Sequence, residues 1–263
     1  MTAAQKNQVF QLLQNASAWL NGYVPDDLAV CPEFSDDAVQ APLPEVQPEV
    51  TVAPQNESPK PESTGISLDS VNAKISACQN CVLSKTRTHV VPGEGVSNPV
   101  VMVIGEGPGE DEDESGRPFV GKAGQLLDKM LASIALSRDS NCFIANIVKC
   151  RPPMNRTPMP DEANACSGYL QAQIHILKPQ LILAMGRTAI QNLLQTEKGI
   201  NALRGQFFDY NGIPVIATYH PSALLRDEAL KRPAWEDLKK ARAKLAEICP
   251  DYAAEFYRMQ NKA

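Results

Sequence analysis

Four sets of residues in this 263-residue chain have the types and spacing to do chemistry. Cys78-x2-Cys81 is followed by Cys150 and Cys166. Four thiolates with one CxxC pair suit a [4Fe–4S] cluster or a zinc ion, although a zinc ribbon more often carries a second CxxC knuckle. Cys31, Cys142 and Cys249 have no partner at ligand spacing, and Cys142 reads as a core thiol. The second set is the loop Gly105-Glu106-Gly107-Pro108-Gly109. With side chains nearly absent, its backbone N–H groups can approach a ligand closely. It has neither the G-x-G-x-x-G spacing nor a following Gly-Lys-Ser/Thr, and the acids Glu110 to Glu114 would repel a phosphate, so a neutral acceptor fits better. The third is Asn146, an amide inside the apolar run Ile144-Ala145-Asn146-Ile147-Val148. Such an amide either makes a structural hydrogen bond or reads a ligand, and its adjacent acceptor and donor complement the N3–H and O4 edge of uracil while opposing the amino group of cytosine. The fourth is His220, one of three histidines, which directly precedes Pro221-Ser222. Phe119, the aromatic nearest the glycine loop, is either core packing or a plate on which a base could stack.

The elements that must position these residues can be read from hydrophobic runs. Val100–Ile104, Phe143–Val148, Leu181–Met185 and Pro214–Tyr219 are apolar on both faces, as buried strands are. Helical patterns over Gly121–Ala135, Asp161–Leu177 and Arg187–Gln195 fall between them, and Trp235–Ile248 closes the chain. Strands alternating with helices predict an α/β fold of three layers, α/β/α, around a central four-stranded parallel sheet. Right-handed crossovers then gather all strand carboxyl ends on one rim, where open α/β sheets bind ligands. The glycine loop, Asn146, Gly186-Arg187 and His220 all follow from that rim.

Composition narrows the class. No apolar run approaches the roughly 20 residues of a membrane span, and the first 20 residues lack a secretory pattern, so a cytoplasmic protein with reduced thiols is expected. The formal charge of −5 hides an asymmetry: residues 1–65 carry two lysines against nine acids, and the remainder carries 23 basic against 21 acidic residues. The main domain is therefore mildly basic, which permits nucleic acid without demanding it. Residues 1–24 hold an amphipathic helical pattern that either docks or frays against the main domain or serves as the site of a protein partner, the first being the more ordinary use of such a segment. Residues 25–65, rich in Pro and Glu, read as a disordered linker, and residues 66–263 as the globular domain.

Taken together, Gly105–Asp113, Arg117-Pro118-Phe119-Val120-Gly121, Asn146–Pro152, His220-Pro221-Ser222 to Leu225-Arg226 and the four cysteines resemble, in order, the family 4 (iron–sulfur) uracil-DNA glycosylases. The match runs from about Ala77 to Ala246, and Glu106 distinguishes it from a sister iron–sulfur family with alanine there. The resemblance implies a uracil-DNA glycosylase-like fold and a monomeric repair enzyme that hydrolyses the N-glycosidic bond of deoxyuridine in single- or double-stranded DNA. It implies that Phe119 stacks on uracil and Asn146 reads its edge. Backbone N–H groups of Glu106 and Gly107 would join His220 at O2, with Gly105 also lining the substrate site. Glu106 would position water or support the sugar cation, and Glu112 would wall off a thymine methyl. Pro221, Ser222, Leu224, Leu225 and Arg226 would form the DNA loop, with Leu224 or Leu225 as its wedge. Cys78, Cys81, Cys150 and Cys166 would hold a [4Fe–4S] cluster. A non-catalytic iron–sulfur DNA-binding protein of the same fold is the alternative.

Overall fold

The structure is a computed structural model that describes residues 67–261. The N-terminal helix and the linker expected over residues 1–65 lie outside the described residues.

The core is a six-stranded sheet in the order β1-β3-β2-β4-β6-β5, made of β1 (Glu94–Gly95), β2 (Val101–Gly105), β3 (Cys142–Asn146), β4 (Leu181–Met185), β5 (Phe207–Tyr210) and β6 (Ile213–Thr218). The four inner strands are mutually parallel, as their two-sided apolar runs predict. The sheet nevertheless exceeds the expected four strands, because an antiparallel strand is added at each edge. Both additions lack the buried-strand signature. β1 is two residues long, and β5 alternates between exposed and half-buried positions. The β5–β6 hairpin turns on Asn211-Gly212, both with positive φ (52° and 85°), the conformation that tight hairpins favour.

Alternate strand residues feed two cores. Val101, Val103, Ile144, Leu183 and Ile216 face one side, and Met102, Ile104, Ala145, Ile182 and Val215 the other. The first face is covered by α3 (Lys122–Ala132), α7 (Pro221–Arg226), α8 (Lys231–Ile248) and α9 (Ala254–Gln260), through residues such as Leu127, Leu224, Leu238 and Phe256. The second is covered by α4 (Pro160–Leu177) and α5 (Arg187–Leu194), through Leu170, Ile174, Ala189 and Ile190. The remaining short helices are α1 (Leu68–Ser76), α2 (Glu110–Ser115) and α6 (Ile200–Leu203). The acidic run thus forms a helix. Its carboxylates crowd the first turn of α2, where the exposed N–H groups favour negative charge, and Gly116 closes the turn at φ 72°.

The chain passes from β2 outward to β3, then returns to β4 on the other flank of β2. Connections therefore leave the carboxyl ends of β2 and β4 in opposite directions, and that divergence opens the crevice in which such sheets bind ligands.

Candidate active site

The register of β2 and β3 places Gly105 directly opposite Asn146. Ile147 N–H then donates to Gly105 O at 3.0 Å and Val148 N–H to Glu106 O at 3.2 Å, so the glycine loop leaves the sheet locked to the end of β3. A Cβ on Gly105 would collide with Asn146 Oδ1 and stand 2.5 Å from Phe119 Cζ. Only a bare backbone lets the amide and the ring close on this spot. Gly107 lies against the same strand end, with Val148 Cγ2 2.8 Å from where its Cβ would be.

Asn146 is 2% exposed, and among the described residues its Oδ1 is buried without a hydrogen-bond partner. An unpaired buried acceptor is costly, on the order of 1–3 kcal/mol, and is kept where something else will donate to it. The main chain of Asn146 is anchored by Lys149, whose buried Nζ donates to Asn146 O at 3.0 Å and to Gln173 Oε1 at 2.7 Å. Burial lowers the Lys149 ammonium to a pKa of about 8, against the opposing effect of the Cys166 thiol.

Phe119 has the positive φ of 53°, a strained state for a side-chain-bearing residue, and it is held there from both sides. Arg138 donates to Pro118 O and to Phe119 O, each at 2.9 Å, and its guanidinium is in turn paired with Asp128. Glu112 Oε1 accepts from Val120 N–H at 2.8 Å and Gly121 N–H at 3.0 Å, while its Oε2 accepts from Gly109 N–H at 3.0 Å. Glu112 is thereby a rigid post joining the glycine loop to the Phe119 turn. Neighbouring Asp113 is buried and accepts Thr88 N–H through both oxygens at 3.0 Å, so two of the five acids in the run are committed to holding main chain.

The Phe119 ring packs on His220, with ring centroids 5.5 Å apart and planes tilted by 32°. Ser222 N–H donates to His220 Nδ1 at 3.2 Å. A backbone N–H can only donate, so Nδ1 is the acceptor and the neutral ring carries its proton on Nε2. Burial lowers the His220 pKa to about 4. The Glu106 charge opposes that shift, the Arg226 charge adds to it, and the Glu112 charge opposes it. The imidazole is therefore a neutral donor at physiological pH, suited to an oxygen that gains negative charge. Glu106 reaches the same region from the end of β2, and its Oε2 accepts the Thr188 hydroxyl at 2.6 Å.

Gly105 thus closes against Asn146 and Phe119, Phe119 packs on His220, and Glu106 lies close enough to His220 to act on its charge, all at the crevice between diverging connections. A family model of the uracil DNA glycosylase superfamily matches residues 92–239, a span that contains all five. The chain belongs to the uracil-DNA glycosylase superfamily. Within that superfamily it is similar to the type-4 uracil-DNA glycosylase of Thermotoga maritima, 44% identical over 180 residues, which are 67% of this chain and 93% of the relative. The type-4 uracil-DNA glycosylase of Archaeoglobus fulgidus is 41% identical over 191 residues, 70% of this chain and 94% of its own length. That of Sulfurisphaera tokodaii is 40% identical over 200 residues, 73% and 90% of the two chains.

The remaining predicted residues of this superfamily member lie in two places. His220 caps α7, the short helix carrying Pro221 to Arg226. Pro221 is buried, and Leu224, 2% exposed, belongs to the first core beside Leu127 and Leu238. Leu225 is 49% exposed, so of the two leucines it is the one whose side chain can leave the protein surface. Ser222 is engaged with the imidazole, its hydroxyl also 2.9 Å from Nδ1.

Cys78, Cys81, Cys150 and Cys166 form a second group. Arg87 donates to Cys150 Sγ at 3.0 Å and to Cys78 O at 3.0 Å, tying the CxxC segment to the loop after β3. Burial pushes the Cys150 thiol up, with the Arg87 contact opposing, and pushes Cys166 to about 11, with Lys149 opposing. The charges of Cys78 and Cys81 are felt at Cys150, and those of Cys150 and Cys78 at Cys166, so the four thiols form one electrostatic group. Among the described residues no three His, Cys, Asp or Glu side chains converge tightly enough for a single ion. Cys142 is a separate core thiol, and burial also pushes its pKa up. No described helix is long and apolar enough to cross a membrane.

Thr188, Arg138 and Lys149 were not legible as site residues. Each acts through a partner on another element, and an isolated Thr, Arg or Lys carries no spacing signal.

Proposed function

We propose that this chain is a DNA repair glycosylase that hydrolyses the N-glycosidic bond of deoxyuridine, releasing free uracil and leaving an abasic site for base excision repair. The observation that carries the reading is the buried, unpartnered Oδ1 of Asn146, closed against a bare glycine that also adjoins the Phe119 ring, which in turn packs on a neutral imidazole donor.

A base inside a duplex cannot be reached at its sugar bond, so the deoxyuridine is turned out of the stack. Leu225 is the wedge that fills the space it leaves, and Arg226, with Pro221 and Ser222 behind it, meets the DNA backbone. Phe119 stacks on uracil. Asn146 Oδ1 accepts from N3–H and its Nδ2 donates to O4, an edge that cytosine cannot match. As the glycosidic bond lengthens, negative charge gathers on O2, where Nε2–H of His220 and the main-chain N–H groups of Glu106 and Gly107 stabilise it. Preset donors of this kind are each worth on the order of 10²–10³ in rate. The sugar becomes cationic, and Glu106 directs water to C1′ or supports that cation. Glu112, immobile in its three N–H bonds, is the wall beside C5 where a thymine methyl would have to fit.

Cys78, Cys81, Cys150 and Cys166 hold a [4Fe–4S] cluster in this reading. The donor set suits it: Cys150 and Cys166, buried with raised pKa values, would become thiolates when a metal centre supplies positive charge, the half-buried Cys78 and Cys81 complete the four ligands, and Arg87 and Lys149 moderate the excess negative charge. When bound, the cluster would tie the CxxC segment to the Cys150–Cys166 region. Hydrolysis of a glycosidic bond needs no electron from it. The enzyme acts as a monomer in the cytoplasm, and residues 1–24 are the segment offered to a protein partner.

The direct test incubates the full chain, purified without oxygen, with uracil-containing oligonucleotides, single-stranded and duplex, and cleaves any abasic sites with alkali. Strand breaks at uracil support the reading, and none on either substrate refutes it.

A further inference from the structure

The end of β4 contributes no group that the mechanism above uses, yet it touches two that it does. Gly186 adopts φ 90°, its N–H donates to Thr218 O at 2.8 Å, and a Cβ there would stand 2.9 Å from the Cβ of His220. The turn from β4 into α5 therefore lies against the imidazole segment. Two residues on, Thr188 is 5% exposed and does not cap its own helix, since Gly186 holds the N-cap position. Its hydroxyl crosses to the neighbouring strand end and donates to Glu106 Oε2 at 2.6 Å, within the short range of charge-assisted bonds. Strands β2 and β4 are parallel neighbours, with Ile104 beside Ala184, so this contact spans the floor of the crevice. Among the described residues no donor reaches the other oxygen, Oε1.

We propose that Thr188 is a positioning residue for the glycosidic reaction: its hydroxyl fixes the Glu106 carboxylate through Oε2 and leaves Oε1 as the oxygen that meets the attacking water or the sugar cation. The assignment rests on the reading of Glu106 given above. Three features make Thr188 a good anchor. Its β-branched side chain has few χ1 choices. It sits on the first turn of a helix whose entry is pinned to β6. It is screened from bulk water, so its bond to the carboxylate has little competition. A free glutamate has three side-chain torsions, and a carboxylate that swings samples the productive geometry only part of the time.

The experiment measures single-turnover uracil excision and DNA affinity for Thr188→Val, Thr188→Ser, Glu106→Ala and the double variant Glu106→Ala/Thr188→Val, with thermal melts of each. Losing a hydrogen bond to a charged group is expected to slow excision by about 10- to 100-fold in Thr188→Val. DNA affinity should stay within about threefold, Thr188→Ser should recover most of the rate, and the double variant should be no slower than Glu106→Ala alone. A Thr188→Val enzyme at full rate beside a crippled Glu106→Ala overturns the proposal and leaves the role of Glu106 standing. A further loss in the double variant equal to the loss in the single one also overturns it, because Thr188 would then act on folding rather than through Glu106. If both single variants run at full rate, the role assigned to Glu106 falls and the proposal falls with it. Should Thr188→Val melt early, Thr188→Ala carries the same comparison.

Discussion

Replacing Asn146 with aspartate exchanges one NH2 for one oxygen in a site that is 2% exposed and has no room to adjust, being closed by Gly105 and Phe119. As a carboxylate, the new side chain still accepts from N3–H, but it sets an acceptor against O4 where a donor stood. An unpaired polar contact in a buried site costs about 1–3 kcal/mol. At about 1.4 kcal/mol per tenfold, that alone is roughly 10- to 100-fold in rate. The base also gains negative charge as it leaves, so a fixed anion at its edge opposes the transition state more than the ground state. Losing a preset donor of this kind is worth on the order of 10²–10³. The combined expectation for uracil is a fall of about 10³. In its protonated form, which burial favours, Asn146→Asp presents a donor to N3 and an acceptor to the amino group of cytosine, so cytosine excision should emerge and grow as pH is lowered. The assay is single-turnover alkaline cleavage of matched oligonucleotides carrying uracil or cytosine at one position. Asn146→Ala is the folding control: deleting an amide whose oxygen is unpaired should leave the melting temperature unchanged or higher. Undiminished uracil excision by Asn146→Asp would refute the reasoning, because no residue reading that edge could tolerate the exchange.

His220→Ala should lower the single-turnover rate by on the order of 10²–10³ while DNA affinity changes little, and equal losses in both would reduce His220 to a DNA contact. Because the folded imidazole titrates near 4 rather than 6.5, its protonation should not limit the rate between pH 8 and about 5; a rate falling in step with a group of pKa 6.5 would contradict that. The same depression means the unfolded chain takes up a proton below 6.5 that the native state refuses. His220 therefore contributes stability above that pH and loses it as pH falls from 6.5 to about 4, a slope that His220→Ala should flatten in acid melts. Arg138→Met removes the two bonds to the carbonyls of Pro118 and Phe119, and should weaken inhibition by free uracil several-fold by loosening the stacking plate; unchanged inhibition would mean the turn holds itself. Protein purified without oxygen should be brown and contain about four irons per chain, and a colourless, zinc-loaded protein would exclude the cluster.

Legibility in the sequence followed burial. The four inner strands were visible because both of their faces are apolar, and the crossover rule then placed the glycine loop, Asn146 and His220 on one rim. The edge strands were not visible, since two residues at Glu94-Gly95 make no pattern and Phe207–Tyr210 has no buried face. The Asn211-Gly212 pair between Phe207–Tyr210 and Ile213–Thr218 was nonetheless a readable hairpin signal. Glu110 to Glu114 read only as negative charge that would repel a phosphate, whereas the helix N-terminus and the N–H groups of Gly109, Val120 and Gly121 draw those acids into a helix and a clamp. Choosing between Leu224 and Leu225 needed the packing of α7, because two adjacent leucines look alike until one of them enters a core. Thr188 and Arg138 stayed hidden because their partners lie 82 and about 20 residues away in sequence.

Gly105 has a consequence for how this pocket can change. Any larger residue there drives its first carbon into the amide and the ring together, so the floor of the pocket is closed to variation. A different base preference would have to be acquired from the walls, at Asn146, Glu112 or the Phe119 turn. Asn146 is braced through Lys149 by Gln173 on α4, Glu112 by three main-chain N–H groups, and the Phe119 turn by Arg138, so altering the diet of this enzyme means rebuilding a wall together with its support.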